Sequence, residues 1–202
     1  MGIEMARLAD FHGAHAGQAI IVAGTGPSLA LLPRPCQFPT IGLNAADRSI
    51  KPEYLFCLHL LPPKKMRHVR ATRAQAIFAA SNLWFSDPRI VETPIRGDDV
   101  SFDDPDALHV NLHKGCTAAL LPAAAITLAC HMGATTVGLI GIDLDKPQYD
   151  KLTVMRSEYR LAVLADVLNR HGVQVYNLGG EQSRLLAFPR ISVDEFRERY
   201  SA

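Results

Sequence analysis

The chain is predicted to be an α/β protein, a mostly parallel sheet covered by helices on both faces and folded as a single domain. Three observations lead there. Short apolar runs lack in-out alternation, as expected of strands covered on both sides. Helical patterns separate those runs in sequence, which favours parallel pairing through crossover helices. At 202 residues, with 48% hydrophobic and 20% charged residues, the chain is long enough for one sizeable core and short for two.

The strand candidates are Gln18–Ala23, Thr40–Leu43, Tyr54–Leu58, Ala76–Ala80, Leu108–Leu112, Thr136–Ile140 and Val173–Tyr176. Residues 1–16 precede the first as an N-terminal extension. A helix is expected to open at Pro27-Ser28, because proline suits a first helical turn. Pro63–Ala74 is a basic helical stretch with Met66 and Val69 spaced for one face. Asp87–Asp106, rich in Pro, Gly and Asp, reads as a loop excursion. Thr117–Met132 is apolar almost all round and so predicted buried, with Gly133 as its stop. Pro122 either kinks that helix or marks its first turn. Lys151–His171 is amphipathic, with Leu161, Leu164, Ala165 and Leu168 on one side and Gly172 closing it. Ser192 and Glu195 form a capping box on a last helix over Val193–Tyr200.

Bulk charge excludes some functions. Lys plus Arg number 21 against 20 Asp plus Glu, a net charge of +1, so a protein built to coat nucleic acid is not indicated, while a local basic patch stays open. Cys36, Cys57, Cys116 and Cys130 lie far apart among apolar neighbours and read as buried thiols of a reducing compartment. No apolar run approaches the roughly 20 residues of a membrane span. The first 16 residues carry Glu4 and Asp10 and lack the apolar core of a secretory signal. A cytoplasmic protein is expected, with a homo-oligomer left open.

In such a sheet, ligands bind at the C-terminal strand ends. After the first strand stand Gly24, Thr25, Gly26, Pro27 and Ser28. Glycines permit a tight turn and close approach of a phosphate, and Ser28 can cap a helix or bond a phosphate oxygen. A dinucleotide fingerprint would want a third glycine where Leu29 stands, and no Gly-Lys-Ser/Thr follows for a P-loop. Asn44 ends the second strand, where its amide can read a ribose, base or sugar hydroxyl or close an Asx-turn. His59 ends the third and is a candidate acid/base. Lys114 and Gly115 before Thr117 make a second anion-friendly corner. Cys116 could be a nucleophile there, but nothing nominates its base. His109 and His113 do not have a metal spacing. Asp143 and Asp145, after the sixth strand, can hold Mg²⁺ across a diphosphate or cap the loop into the next helix. Tyr149, a few residues on, could contact a ligand or cover the core, and Asn177 and Ser183 close the last strand and could line the same cleft.

In order, these residues resemble a known family. Gly24-Thr25-Gly26-Pro27-Ser28-Leu29 is similar to the G-x-G-P-S-L signature of bacterial lipooligosaccharide sialyltransferases and of the related 6-hydroxymethylpterin diphosphokinase-like and motility-accessory-factor proteins. The similarity continues through Gly42-Leu43-Asn44, His59, the small-residue helix before Gly133-Ala134, Leu139-Ile140-Gly141-Ile142-Asp143, Tyr176-Asn177-Leu178, Ser183-Arg184-Leu185 and Phe188-Pro189. It spans nearly the whole chain. The resemblance implies a Rossmann-like domain binding a nucleotide at its strand ends. In the sialyltransferase branch that is a CMP-sugar over the positions of Gly24–Ser28 and Asn44; in the pterin branch it is ATP with Mg²⁺, for which Asp143 would matter.

Two departures stand out. Thr25 replaces the family's usual Asn. The chain also runs from Asp143 into a helix within a few residues, leaving little room for the lid that carries the family's phosphate-binding tyrosines and general-base histidine. No His lies between His131 and His171, so the base would be His59 or His113. The expected activity is a transferase using a nucleotide-activated donor, glycosyl transfer first and Mg²⁺-dependent diphosphoryl transfer second, with no tightly bound cofactor and an unspecified acceptor. A non-catalytic nucleotide-binding module is the alternative.

Overall fold

The computed structural model describes residues 6–60, 67–82, 87–97, 101–102, 104–110, 117–145 and 149–201, without the side chains of His59, Ser81, Asn82, Thr117, Ala118 and Gln182. The strands are β1 (Ala19–Ala23), β2 (Thr40–Leu43), β3 (Tyr54–Leu60), β4 (Ala76–Asn82), β5 (Ile90–Glu92), β6 (Ile95–Arg96), β7 (Leu108–His109), β8 (Thr136–Ile140) and β9 (Gln174–Asn177). The helices are α1 (Arg67–Ala71), α2 (Thr117–His131), α3 (Lys151–Arg170) and α4 (Val193–Tyr200). Seven strands form one sheet in the order β5-β4-β3-β2-β1-β8-β9, with every neighbouring pair parallel. β6 and β7 pair in a separate parallel ribbon.

This strand order decides where a ligand can sit. The chain builds outward from β1 to β5, then returns to lay β8 on the other side of β1. That reversal makes the C-terminal ends of β1 and β8 the topological switch point, where the connections depart in opposite directions and leave a crevice. β8 pairs with β1 over its whole length, from Ala19 opposite Thr136 to Ala23 opposite Ile140. The two following turns therefore meet.

Alternation places Ile20 and Val22 in the core under α2 and α3, and Ala19, Ile21 and Ala23 in the core closed by Phe196 of α4. α2 is buried on nearly every side, as its composition requires. α3 shows the amphipathic face, with Ser157, Leu161, Leu164 and Leu168 inward. Asp150 caps α3 by accepting the Thr153 N–H at 2.6 Å, and Ser192 caps α4 by accepting the Glu195 N–H at 3.0 Å. No described helix is long and apolar enough to cross a membrane.

Several boundaries differ from the sequence expectation, each for a local reason. Gln18 stays outside β1 because its N–H donates to the His15 carbonyl (3.0 Å). Val173 stays outside β9 because its N–H closes α3 on Leu168 (2.9 Å). The helix expected at Pro27-Ser28 is a five-residue 3₁₀ turn, Pro27–Leu31, stopped short by Pro33 and Pro35. The segment 87–106, read as an excursion, instead contributes β5, whose Ile90 and Val91 are buried at the sheet edge, and β6. Of the expected strand over Leu108–Leu112, Asn111 and Leu112 lie outside the described residues.

The N-terminal segment docks across the end of α2. Gly13, His15 and Gly17 donate backbone bonds to His131, Met132 and Gly133, and Phe11 packs edge-on against Phe78. His131 Nε2 donates to the Leu8 carbonyl (3.2 Å), and its ring lies 5.0 Å from that of His12. Burial, with the His12 ring beside it, holds the His131 imidazole below the ordinary histidine range, against the opposing pull of the Leu8 carbonyl. The unfolded chain therefore binds a proton there more readily than the native one. Stability is expected to fall as pH drops through about 6.5, the ordinary value, toward the lower native pKa. Thermal melts at pH 7.5 and 5.5 check this; His131→Gln should show a smaller drop between the two than the parent.

Candidate functional site

A cavity of about 180 Å³ opens at the switch point, lined from the ends of β1, β2, β3 and β8 and from the first turns of α2. Its walls include Gly24, Thr25, Gly26, Asn44, Asp143, Asp145 and Tyr149. Seven residues named from sequence thus converge on one cavity, although they come from three separate stretches of chain. Leu43, Leu58, Leu121, Pro122, Gly141, Ile142 and Leu144 complete the lining; of these, Leu43, Gly141 and Ile142 belong to the motifs of the family resemblance.

The floor is built by two turns in contact. Gly24 donates its N–H to Ile140 O, and Gly26 to Gly141 O, both at 2.8 Å. A Cβ on Gly24 would fall inside the Gly141 carbonyl, and one on Gly26 would collide with Asp143 Oδ2. Gly141 has φ +67°, and a Cβ there would lie 2.7 Å from Gly24 O. The G-x-G spacing therefore serves the close approach of the β1 and β8 turns, which glycine alone permits.

Ser28 and Asp143 lock that contact. The Ser28 N–H donates to Asp143 Oδ2 (2.9 Å) and the Ser28 hydroxyl to Oδ1 (2.5 Å). The Gly141 N–H in turn donates to Ser28 Oγ (2.8 Å). Ser28 is fully buried and Asp143 is 2% exposed. A charge-assisted pair of this kind, held out of water, is among the stronger hydrogen-bonded links a protein makes. It also corrects an expectation: Ser28 is not on the cavity wall, and its donors are aimed at Asp143 rather than at a phosphate. Pro27 lies outside the lining as well.

Asn177 and Ser183 are likewise turned to other work. Asn177 Nδ2 donates to Ser183 Oγ (3.2 Å) and to the Leu185 carbonyl (2.7 Å), and Asn177 Oδ1 accepts from the Gly179 N–H (2.8 Å). Gly179 backs directly onto Asp143, where a Cβ would lie 2.9 Å from Oδ1. The pair buttresses Asp143 from behind rather than lining the cavity, which corrects their placement as ligand contacts.

Two cavity residues carry backbone strain. Asn44 has φ +50°, a conformation that its short amide side chain tolerates. Leu144, between the two aspartates, has φ +51° and is buried. A leucine there costs about 1–3 kcal/mol and is held by its surroundings. Its effect is to set the course of the chain between Asp143, turned into the fold, and Asp145 at the cavity. No sequence signal announces it.

Asp145 forms no hydrogen bond or ion pair among the described residues. Tyr149 is half-buried, and burial raises its phenol pKa, keeping it a neutral donor at pH 7. Asp143, Asp145 and Tyr149 are the only ionisable groups in the described lining. Such a wall suits hydroxyl and amino groups, with the Asn44 amide able both to donate and to accept.

None of the remaining expected residues is among the described lining. His59 lies in β3 with its backbone opposite Ser81, one residue past the cavity-lining Leu58; its side chain is outside the described set. Lys114, Gly115, Cys116 and His113 fall outside the described residues. Thr117 begins α2, and only its backbone is described. Among the described residues, no group of three His, Cys, Asp or Glu side chains is placed to hold a metal.

No family model matches the chain, and no curated protein matches it. Among solved structures, it is similar to the sialyltransferase CstII from Campylobacter jejuni in complex with cytidine-5'-monophosphate. That likeness has 15% identity, covers 85% of this chain and 84% of the other, and has a TM-score of 0.45. The complex of the same enzyme with CMP-3FNeuAc gives 15% identity, 87% and 85% coverage, and a TM-score of 0.48.

Proposed function

We propose that the switch-point cavity binds a nucleotide-activated donor and that the protein is a transferase, glycosyl transfer being the leading reaction. The observation that carries this reading is the convergence of the β1 glycine turn, Asn44, Asp145 and Tyr149 on one cavity at the strand-order reversal. Asn44 is assigned to a base or ribose edge, and Asp145 to a donor hydroxyl or amine. The backbone around Thr25–Gly26 is assigned to the phosphate. An acceptor hydroxyl would displace the nucleotide, so positioning and stabilisation of the leaving phosphate carry the reaction. His59, at the end of β3, is the candidate base. Asp143 acts by fixing the glycine turn.

The diphosphoryl-transfer reading ranks second on a specific observation. A Mg²⁺ across a diphosphate wants open carboxylate oxygens, and both Asp143 oxygens already accept from Ser28. Asp145 would hold the ion, with substrate phosphates as its main remaining ligands. The ion would supply charge neutralisation at the transferred group.

Calorimetric titration with CMP, CDP, UDP and ATP, each with and without Mg²⁺, separates the readings. Metal-independent CMP binding is expected; binding of ATP alone, and only with Mg²⁺, would place the second reading first. Asn44→Ala is expected to weaken the bound nucleotide by about tenfold, the worth of a hydrogen bond lost in a shielded site. The same change costs about 1 kcal/mol of stability at this φ. Asn44→Gly, which relieves the backbone, should show the same binding loss without the stability loss.

A further inference from the structure

Of the basic stretch seen in sequence, His68 and Arg73 line clefts that share no residue with the switch-point cavity. The β1–β2 crossover carries only the short Pro27–Leu31 turn, so no long helix covers the start of β2 and β3 there. A cleft of about 890 Å³ opens instead, adjoined by one of about 250 Å³. Arg48, Lys51 and Arg73 line both, and Arg34 lines the larger. Among the described residues, none of these four forms an ion pair with a carboxylate.

Two carboxylates border the clefts as well. Glu53 accepts from the Gln75 amide at 3.2 Å. Asp47 lies in the wall of both clefts, and its Oδ1 is buried with no hydrogen-bond partner among the described residues. His68, in the wall of the smaller cleft, takes Arg48 Nη2 at 3.3 Å on its Nδ1, while its Nε2 is buried and has no partner among the described residues. Native folds rarely leave buried polar atoms unpaired. Here two of them border one cleft whose cations form no ion pair among the described residues.

We propose that this double cleft is a second ligand site, sharing no lining residue with the switch-point cavity, and that it takes a small phosphate-bearing molecule. Arg34, Arg48, Lys51 and Arg73 hold the phosphate, for which guanidinium forks are well matched. Asp47 sets the class further: two carboxylates, Asp47 and Glu53, beside four cations leave the site net positive, and Asp47 offers an acceptor to a hydroxyl. A phosphorylated polyol or sugar satisfies both.

Inorganic pyrophosphate, titrated by calorimetry at low and raised salt, is the probe. The parent protein is expected to bind it, more weakly as salt rises. Arg48→Glu combined with Arg73→Glu should weaken binding at least tenfold, Arg48→Lys with Arg73→Lys should retain most of it, and Asp47→Asn should tighten it. These side chains are exposed or partly exposed, and thermal melts of each variant confirm folding. Saturating CMP should leave pyrophosphate binding unchanged, which separates this site from the nucleotide cavity. No binding by the parent, unchanged affinity in the Glu variant, or displacement of pyrophosphate by CMP would overturn the proposal. Binding of phosphatidylserine vesicles without binding of pyrophosphate would also overturn it, in favour of a membrane surface.

Discussion

Gly24→Ala is expected to destabilise the protein by about 2–4 kcal/mol, lowering its melting temperature by roughly 5–15 °C. The added methyl group would fall inside the Gly141 carbonyl and lie 3.1 Å from Ile142 Cγ1. The obstructing atoms are mainly backbone at the end of a central strand, paired with β1 along its length, so they cannot turn aside as a side chain would. Relief must come from separating β1 and β8 at the switch point, which opens the cavity floor. Ligand binding should therefore fall along with stability. Thr25→Ala, in the same turn but exposed, is the control and should stay within about 0.5 kcal/mol of the parent. Denaturant unfolding of the three proteins decides it; a Gly24→Ala variant as stable as the Thr25→Ala control would contradict the close-approach account.

Asp143→Ala is expected to cost a further large amount, about 2–4 kcal/mol. It strands the buried Ser28 N–H and hydroxyl together, and unsatisfied buried donors carry most of their desolvation penalty. Ser28→Ala removes the same hydroxyl from the other side. The two changes should be strongly non-additive, with a coupling of about 1–3 kcal/mol in a double-mutant cycle, because each breaks the same link. Asp143→Asn should fall between parent and alanine variant: its amide oxygen still accepts one Ser28 donor, but its charge is gone. Additive losses from Ser28→Ala and Asp143→Ala would show that the observed 2.5 Å and 2.9 Å bonds carry no joint energy. The cycle also bears on function. An Asp143 that acts chiefly as a lock should lower nucleotide affinity in proportion to the lost stability of the turn, and Ser28→Ala should lower it too.

The parts of this molecule legible in its sequence are those that depend on local pattern. Thr40–Leu43, Thr136–Ile140 and Val193–Tyr200 have the observed boundaries because an apolar run or a cap residue marks both ends. Strand-end logic also picked out Gly24, Asn44, Asp143, Asp145 and Tyr149, since each follows directly or closely on such a run. What could not be read is nonlocal. That β8 lies beside β1 depends on the whole strand order, and with it comes the reason for Gly24 and Gly26. A phosphate cradle and a close backbone crossing both ask for glycine, and only the partner at Gly141 distinguishes them. The Ser28–Asp143 link spans 115 residues of chain. β5 is three residues long, too short to register against its Pro- and Asp-rich surroundings. The 3₁₀ turn after Gly26 shares its Pro-Ser opening with an α-helix; only the nearby Pro33 and Pro35 show how little room there is.

The absence of a cation from the described cavity wall sharpens the division of labour between the two sites. Asp145 and Asn44 suit the hydroxyl and amine groups of a nucleoside or sugar, whereas Arg34, Arg48 and Arg73 line the double cleft. A molecule recognised mainly by its phosphate should therefore prefer the cleft, and one recognised by its nucleoside should prefer the switch point.

The most direct test of the central claim is a crystal structure of the protein soaked with CMP. The nucleotide is expected over the C-terminal ends of β1 and β8, with Asn44 and Asp145 within hydrogen-bond reach. CMP seated only among Arg34, Arg48 and Arg73, or on neither site, would contradict the assignment of the switch-point cavity.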